Sequence, residues 1–368
     1  MKSQIEFHPS ILAGGSGTRF WPRSRRWRAK QLLVLDGARS MIQSTVDRLG
    51  PLANSQELWV ITNDLLSDAI SAQLHTLLGE HMVCEPAARN TAPAAGLAAF
   101  LIERTSPGAV LGVFPSDHVI TDEKKYRATV EQGIALAAAG ENIVVLGVTP
   151  VRPETGYGYI ETGEILPDHV LRVRRFTEKP NRARAEEFML AGTYYWNSGI
   201  FLWTARTLAN AIREHLSETA PILQQIADAY GTPSFQEVFR ELYPSCENIS
   251  IDYAVLEPRS TKGEHRSNIY CLPTDFGWND LGSWEALYEH QLAQGKATDG
   301  NVTEAKDMLA IDAHNNYVYS PDKFVALVGV EDLVVVETED AILITTRERS
   351  QDVRRVVSGL AGHHDELL

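Results

Sequence analysis

A glycine-rich segment followed by a run of cations is the part of this sequence whose residue types could do chemistry. The apolar run 10–13 predicts a buried strand that leads into three glycines and six basic residues: Gly14, Gly15, Gly17, Arg19, Arg23, Arg25, Arg26, Arg28 and Lys30. Glycine permits positive φ and lets a ligand approach the backbone closely. Backbone N–H groups of such a loop can turn toward an anion, and Arg19 and Lys30 can add charge. The segment therefore predicts a phosphate-binding loop.

This loop does not match two well-defined phosphate motifs. No Gly-Lys-Ser or Gly-Lys-Thr ends it, so it is not a P-loop, and the third glycine of the dinucleotide fingerprint is missing. Taken alone, the Gly-Gly-Ser-Gly string fits a tight turn beside a solvated basic face about equally well.

Two aspartates stand where a metal site is expected. The apolar run 109–114 predicts a strand, and Asp117 and His118 follow its carboxyl end. A carboxylate close to a phosphate loop can hold Mg²⁺, although a turn cap is the simpler explanation for Asp117 by itself. For His118 a hydrogen-bonded support is the preferred interpretation. Asp280 lies among glycines and tryptophans that also fit a packed turn, but paired with Asp117 across one cleft it would complete a magnesium site.

The string 11–31 resembles the GG-x-GTR-x-x-P…K signature of the sugar-1-phosphate nucleotidylyltransferases. Four further segments resemble elements of that family: 85–93, 154–159, 176–180 (F-x-EKP) and 195–201 (NSG-x-F). Five motifs in the family's order, spread over most of the chain, are far more specific than any one of them. One position departs from the signature, because Ala29 stands where the family usually has proline before the lysine.

The resemblance implies a role for each of these segments. Arg19, Lys30 and Lys179 would be the catalytic cations, and Asp117 and Asp280 would hold Mg²⁺. Sugar-phosphate binding would fall to Gly156, Glu178, Lys179 and Asn197. Nucleotide binding would fall to Leu12, Ala13, Gly14, Gly15, Ser16, Gly17, Thr18, Glu85, Pro86, Asn90 and Ser116. Without the resemblance, 176–180 fits a solvated loop, 154–159 a bulged strand, and 85–93 a loop with its N-cap at Thr91.

The chemistry implied is that of the guanylyl branch, in which GMP passes from GTP to mannose 1-phosphate and pyrophosphate leaves. The second pKa of a sugar phosphate is about 6, so the phosphate is already an ionised nucleophile at neutral pH. No Ser, Cys or His nucleophile is needed, and the sequence has no evident triad. Two alternatives stay open: another sugar 1-phosphate or base on the same scaffold, and an inactive subunit that senses nucleotide sugars. An inactive subunit is expected to lack one of Arg19, Lys30, Asp117 or Asp280, and all four are present.

Composition excludes some classes of protein. With 44% hydrophobic and 22% charged residues, the 368-residue chain has the balance of a globular protein. Its net charge of −14 argues against nucleic-acid binding. Cys84, Cys246 and Cys271 are widely spaced, so we interpret them as core thiols in a reducing compartment. With no signal-peptide pattern and no membrane-length apolar run, the expectation is a cytoplasmic protein without a membrane partner; a homodimer is an open expectation.

The order of predicted elements indicates an α/β fold. Strands alternate with helices through the first part of the chain, which implies a mostly parallel, Rossmann-like mixed sheet covered by helices. From about residue 299, short apolar runs separated by turns predict a small β domain. For this part the resemblance implies a short left-handed β-helix. We therefore expect a nucleotidyltransferase catalytic domain over 1–295 and a small C-terminal β-helix-like domain over 296–368.

Overall fold

The computed structural model describes residues 5–15 and 17–368, and a nine-stranded mixed sheet forms its centre. The strands are β1 Phe7–Leu12, β2 Trp59–Asn63, β3 Met82–Glu85, β4 Val110–Pro115, β5 Val119–Ile120, β6 Ile143–Val148, β7 Tyr159–Ile165, β8 Leu171–Thr177, β9 Tyr194–Thr204, β10 Ile269–Thr274, β11 Trp278–Asn279, β12 Ala297–Thr298, β13 Asn301–Ile311, β14 Tyr317–Val328, β15 Leu333–Glu337 and β16 Ile342–Thr346. The helices are α1 Met41–Leu49, α2 Asp64–Ser71, α3 Thr91–Glu103, α4 Glu123–Ala138, α5 Arg182–Ala191, α6 Ala205–His215, α7 Thr219–Ala229, α8 Phe235–Leu242, α9 Glu257–Ser260, α10 Trp284–Ala293 and α11 Val353–Leu360. None of the described helices combines the length and apolarity that crossing a membrane would take.

The sheet brings the ends of β1 and β4 to one edge. Its strand order is β3-β2-β1-β4-β9-β6-β10-β8-β7. β1 is parallel to both β2 and β4, whereas β9 runs antiparallel between β4 and β6 and makes the sheet mixed. Leu12 at the end of β1 lies in register with Pro115 at the end of β4. The glycine loop and Asp117 therefore leave the sheet side by side, at the edge where open α/β sheets bind ligands.

Alternate residues of the strands supply two apolar cores. Val144 and Val145 are neighbours in β6, yet Val145 belongs to the core shared with α3, α6 and α7, and Val144 to the core shared with α1 and α4. Successive side chains of a strand point to opposite faces, so a strand buried on both faces reads as a continuous apolar run. The predicted α/β architecture with helices on the sheet is confirmed.

Three helices, α6 to α8, have no counterpart among the predicted elements. The signal for α6 was in the sequence, because Leu208, Ala209 and Ile212 recur at helical spacing and are all buried. Helices α6 and α7 cover α3, whose residues 92–102 are all buried. A Cβ at Gly96 of α3 would lie 2.8 Å from Leu223 Cδ1 of α7, so glycine allows this close helix packing.

The C-terminal residues form a separate five-stranded sheet in the order β12-β13-β14-β15-β16. Strands β13, β14 and β15 are parallel, and β16 returns antiparallel on β15, which confirms a small β-helix-like unit. The apolar runs 317–319 and 325–328, predicted as two strands, are parts of the single strand β14. Strand β13 was missed because most of its side chains are polar or exposed.

The C-terminal unit shares an apolar core with the segment that follows the glycine loop. Phe20 packs against Trp284 with ring centroids 4.8 Å apart, and Trp284 packs in turn against Tyr317 of β14. All three side chains are fully buried. The Trp284 indole also donates a hydrogen bond to the carbonyl of Trp21 at 3.2 Å. The position of the loop therefore depends on packing from the C-terminal unit.

The predictions for the ends of helices α1, α2 and α3 are confirmed only in part. The Ser-x-x-Gln pattern at 40–43 predicts a capping box, and Ser40 and Gln43 form one at the start of α1. Apolar residues at helical spacing predict a helix over 64–78, but α2 ends at Ser71. The N-cap of α3 is Asn90, whose side chain accepts a hydrogen bond from the Thr91 N–H at 2.9 Å, so the assignment of the cap to Thr91 was wrong. The Thr91 hydroxyl instead accepts from the Ile251 N–H at 2.9 Å, which ties α3 to a distant loop.

Candidate active site

The glycine loop is held in place by its own neighbours. Gly17 has φ 60° and precedes a short 3₁₀ turn, Thr18–Phe20. A Cβ at Gly17 would lie 2.4 Å from the Cβ of Lys30, so only glycine fits here. From the other side, Gln31 Nε2 donates hydrogen bonds to the carbonyls of Ala13 and Gly15 at 2.8 and 3.0 Å. Ser16, assigned to nucleotide binding from the sequence, lies outside the described residues.

Lys30 links three parts of the site. Its side chain is 4% exposed. The ammonium donates to Asp117 Oδ2 at 2.8 Å and to the backbone carbonyl of Asp280. Burial of Asp117 opposes ionisation, but the charge and hydrogen bond of Lys30, with the charge of Arg19, outweigh it and hold the pKa of this carboxyl below its ordinary value. Asp117 therefore stays ionised at neutral pH.

Asp280 has one oxygen bound and one directed to the cleft. Tyr157 donates its hydroxyl to Asp280 Oδ1 at 2.6 Å. Burial and the charge of Asp280 raise the pKa of Tyr157 well above its ordinary value, so the phenol remains a donor. The other oxygen, Oδ2, and Arg19 Nη1 would lie 2.9 and 3.1 Å from a Cβ at Gly282. Glycine at this position leaves open the space between the carboxylate and the guanidinium.

The donor set fits a magnesium ion that takes most of its ligands from substrate and water. Within residues 5–15 and 17–368 no group of three or more potential metal ligands comes together. Asp117 and Asp280 each keep an oxygen that neither Lys30 nor Tyr157 occupies. Mg²⁺ is commonly bound by one or two carboxylates plus phosphate oxygens. These two residues could therefore hold the metal.

His118 is bound as a support. The Trp278 indole N–H donates to His118 Nδ1 at 3.1 Å, and the two rings meet edge to face. Because an indole nitrogen only donates, Nδ1 must carry the lone pair. Burial lowers the pKa of His118 against the opposing charge of Asp117, so the ring is neutral at physiological pH.

Two cavities meet at Arg19. The smaller, about 180 Å³, lies in the glycine loop and is lined by Leu12, Gly15, Gly17, Arg19, Lys30, Ser116 and Asp117, among others. The larger, about 1190 Å³, is bordered by Arg19, Gly156, Tyr157, Lys179 and Asp280, and by residues of the C-terminal unit. The first has the size for a phosphate chain, and the second has room for a sugar phosphate beside it.

The residues assigned to the sugar phosphate cluster around β7, β8 and β9. Glu178 is nearly buried and accepts from Lys179 Nζ at 2.7 Å. A Cβ at Gly158 would lie 2.5 Å from Glu178 Oε2 and 3.3 Å from the Cβ of Asn197. Gly158, which was not among the residues assigned from the sequence, is thus the glycine that Glu178 and Asn197 approach closely. Gly156 lines the large cavity instead.

Asp252 is a further member of this cluster that sequence reasoning missed. Its Oδ1 accepts from Asn197 Nδ2 at 2.9 Å, and Asn197 Oδ1 accepts from the Gly199 N–H at 3.0 Å, so the Asn197 amide is fixed in one orientation. Burial and the neighbouring charge of Glu178 raise the pKa of Asp252 from 3.8 to about 7. Asp252 lies 55 residues from Asn197 along the chain, so no local spacing pointed to it.

The segment 85–93, three of whose residues are assigned to nucleotide binding, lies against the glycine loop. A Cβ at Gly14 would come within 3.2 Å of Glu85 Oε2. Tyr243 donates its hydroxyl to Glu85 Oε1. Burial raises the pKa of Glu85 to about 7, although the Tyr243 hydrogen bond opposes the shift. Pro86 and Asn90 follow in the same loop, with the Asn90 side chain engaged at the start of α3.

The sheet brings a glycine loop, a buried lysine and two aspartates together at one edge. A sequence model of the family described as nucleotidyl transferase matches residues 8–296. A model of the mannose-phosphate isomerase/GMP-like β-helix domain matches residues 306–360. The chain belongs to the nucleotidyl transferase family, an enzyme family that generally uses a divalent metal.

The sequences of several relatives match nearly the whole chain. The chain is 37% identical over 377 residues to a mannose-1-phosphate guanylyltransferase of Escherichia coli K12, covering 100% of this chain and 76% of the relative. It is 37% identical over 362 residues to the mannose-1-phosphate guanylyltransferase RfbM of Salmonella typhimurium, covering 97% and 73%. The crystal structure of a mannose-1-phosphate geranyltransferase from Thermus thermophilus superposes with a TM-score of 0.84 at 30% identity, covering 97% of this chain and 99% of the other.

We expect Gly17→Ala to lower the free energy of unfolding by about 1–3 kcal/mol, because alanine is strained at positive φ and meets Lys30. Gly15→Ala is the matched control, since a Cβ at Gly15 meets nothing within 4 Å. It should stay within about 0.5 kcal/mol of the wild type. Urea unfolding of the three proteins gives the comparison, and equal losses for the two variants would contradict the close packing of Gly17 on Lys30.

We expect Asp252→Asn to change the pH dependence of stability. A carboxyl whose pKa is raised on folding contributes stability that is lost as pH rises from its ordinary value toward the raised one, here between 3.8 and about 7. The wild type should therefore lose stability relative to Asp252→Asn as pH increases through this interval. Exposed Asp322 supplies the control variant Asp322→Asn, which should track the wild type. Parallel pH profiles for wild type and Asp252→Asn would refute the assignment.

Proposed function

We propose that this chain transfers GMP from GTP to mannose 1-phosphate and releases pyrophosphate. The observation that carries the proposal is the meeting of Lys30, Asp117, Asp280 and Arg19 at the mouth of the glycine loop, next to a cavity with room for a second phosphorylated substrate. Relatives named mannose-1-phosphate guanylyltransferases match from end to end of this chain, which supports the choice of substrates.

The bond changes need no protein nucleophile. An oxygen of the mannose 1-phosphate attacks the α-phosphorus of GTP, the bond from that phosphorus to the bridging oxygen breaks, and the electron pair leaves with pyrophosphate. The sugar phosphate is already ionised at neutral pH. The barrier is therefore chiefly electrostatic, since two anions must meet, and each unit-charge pair at about 4 Å is worth roughly 4 kcal/mol at an effective dielectric near 20.

The cations of the site are placed to offset this repulsion. We assign Arg19 and Lys30 to the nucleotide phosphates, because both line the glycine-loop cavity. Lys179 serves the sugar phosphate, because it borders the large cavity beside Gly156 and is bound to Glu178. Preorganised charges of this kind stabilise the charge that develops on the leaving group. Most of the catalysis is positioning and charge neutralisation.

Mg²⁺ is the metal we propose at Asp117 and Asp280, where it supplies positive charge to the phosphate oxygens. The ionised state of Asp117 suits this role. Lys30 holds one oxygen of Asp117 and thereby fixes the direction of the other.

For the base, Glu85 is the specificity residue we propose. Guanine presents N–H donors on its pairing edge, and Glu85 keeps Oε2, which the Tyr243 hydroxyl does not occupy, to accept from them. The glycine loop and Glu85 are in contact range at Gly14, which allows one nucleotide to reach both. The nucleotide contacts that we assign to the chain are those of Leu12 to Thr18, with Ser116, Glu85, Pro86 and Asn90.

We propose that residues 1–295 form the catalytic unit and that residues 296–368 form the unit that supports it. Exposed apolar side chains on the strands of the supporting unit favour a homodimer through this unit: Leu309, Ile311, Phe324, Val328, Ile342 and Ile344. Because Cys84, Cys246 and Cys271 are free thiols, we assign the reaction to the cytoplasm. The net charge of −14 gives no support to a nucleic-acid partner.

The function is tested by pyrophosphate release from four nucleoside triphosphates crossed with several hexose 1-phosphates. GTP with mannose 1-phosphate should give the highest kcat/KM, and excess EDTA should abolish turnover. Asp280→Asn should cut kcat by about two orders of magnitude or more with the fold unchanged. A different preferred pair would make the chain a sibling enzyme, and no turnover of any pair would make it a sensing subunit. Full turnover in excess EDTA would show that the reaction needs no metal.

We expect Ala29→Pro to tighten GTP binding by about two- to fivefold. Ala29 already has φ −67°, the value that proline imposes, and among the described residues its N–H donates no hydrogen bond. Proline would reduce the freedom of the unliganded loop, an effect typically worth about 0.4–1 kcal/mol, and about 1.4 kcal/mol is tenfold in affinity. Calorimetry of GTP binding to both proteins gives the answer. Weaker binding by the variant would show that the buried position has no room for the ring.

A further inference from the structure

A cation of the C-terminal unit faces the active-site cavity. Arg354 is the second residue of α11, and α11 packs beside the 3₁₀ turn Thr18–Phe20 that follows the glycine loop. Val353, the residue before it, is buried in the core shared with Phe20. This packing fixes the start of the helix against the loop. Arg354 and Arg19 line the same cavity of about 1190 Å³.

The other arginines on this cavity are already neutralised by carboxylates. Arg347 pairs with Asp332 at 2.8 Å and with Glu285 at 3.6 Å. Arg152 pairs with Glu154 at 3.2 Å and with Glu289 at 3.7 Å. Four carboxylates of the cavity wall are thus paired with these two arginines, whereas Asp280, Glu331 and Glu348 line the cavity and pair with neither.

Arg19 and Arg354 are different. Within residues 5–15 and 17–368, neither guanidinium makes an ion pair or a side-chain hydrogen bond. They are also close enough to repel each other, since burial and then the charge of Arg19 lower the pKa of Arg354. Two like charges that lie close together, neither of them in a direct ion pair, are stabilised by an anion that binds both.

The position of Arg19 indicates which anion this is. Arg19 borders the small cavity of the glycine loop together with Gly17, Lys30 and Asp117, and it also borders the large cavity. A phosphate chain that begins over the loop and extends outward therefore reaches Arg19 and then Arg354. Arginine binds phosphate through a planar pair of donors, and two arginines could clamp a terminal diphosphate.

We propose that Arg354 is a further phosphate-binding residue of this enzyme, which with Arg19 holds the two terminal phosphates of the nucleoside triphosphate and, after transfer, the pyrophosphate. The assignment rests on the proposed function. As the α-phosphorus to oxygen bond breaks, the electron pair moves to the departing pyrophosphate, and Arg354 stabilises the charge that appears there. The C-terminal unit then completes the active site as well as supporting the loop.

The test compares Arg354→Gln, Arg354→Lys and the control Arg355→Gln with the wild type. Arg355 is the next residue of α11, is exposed, and does not line the cavity. Kinetics in both directions give KM for GTP, pyrophosphate, mannose 1-phosphate and GDP-mannose. Calorimetry with magnesium pyrophosphate gives a binding constant that does not depend on turnover, and thermal unfolding reports the fold.

For Arg354→Gln we expect KM for GTP and Kd for pyrophosphate to rise about tenfold or more, because a charge-assisted pair of hydrogen bonds is lost. The constants for mannose 1-phosphate and GDP-mannose should change less than about twofold, and Arg355→Gln should match the wild type. Arg354→Lys keeps the charge without the planar donors and should be intermediate. If Arg354→Gln does not fold, Arg354→Lys is the variant that tests the proposal.

The assignment is overturned if pyrophosphate affinity stays within about twofold in Arg354→Gln, or if Arg355→Gln loses as much. It is also overturned if all four substrates weaken alike. A wild-type protein that binds pyrophosphate through Arg354 but does not release it from GTP and mannose 1-phosphate would refute the proposed function and leave the Arg354 site standing. The two failures are therefore distinguishable.

Discussion

The buried ammonium of Lys30 is the interaction on which the rest of the site depends. The Lys30 side chain is 4% exposed, and its ammonium holds the Asp117 carboxylate at 2.8 Å and the Asp280 carbonyl. Removing a charge from water is costly unless partners satisfy it, so this lysine requires both neighbours to be in place. Those neighbours come from the loops that follow β4 and β11, while Lys30 itself lies under Gly17. One ammonium group thus ties the phosphate loop to both proposed metal ligands.

Packing from the C-terminal unit holds this arrangement from outside. Phe20, just after the glycine loop, is buried against Trp284, which also contacts Tyr317 of the small sheet. Close packing transmits small displacements, so a shift of that sheet would move the loop and Arg19. The same contact brings α11 to the rim of the cavity. The interface between the C-terminal unit and the glycine loop therefore both supports the loop and places a charged residue of α11 at the cavity.

Much of this could be predicted from the sequence, and the limits have physical reasons. Local patterns predict the glycine loop, the position of Asp117 just after a strand and the α/β alternation, since backbone freedom and periodicity are local properties. Asp252 and Tyr157 could not be assigned in this way, because their partners Asn197 and Asp280 are distant in sequence. Strand β13 escaped because its polar, exposed residues carry no apolar pattern. Arg354 needed the contact of two units, which only tertiary structure supplies.

A double-mutant cycle on Lys30 and Asp117 tests most directly whether this pair organises the site. Transfer rates are measured for Lys30→Met, Asp117→Asn and the double variant. If the pair acts as one unit, the double variant should lose about as much kcat/KM as the worse single variant, because either change already breaks the arrangement. Losses that multiply would show that the two residues act independently, and would contradict the central role of Lys30 in organising the site.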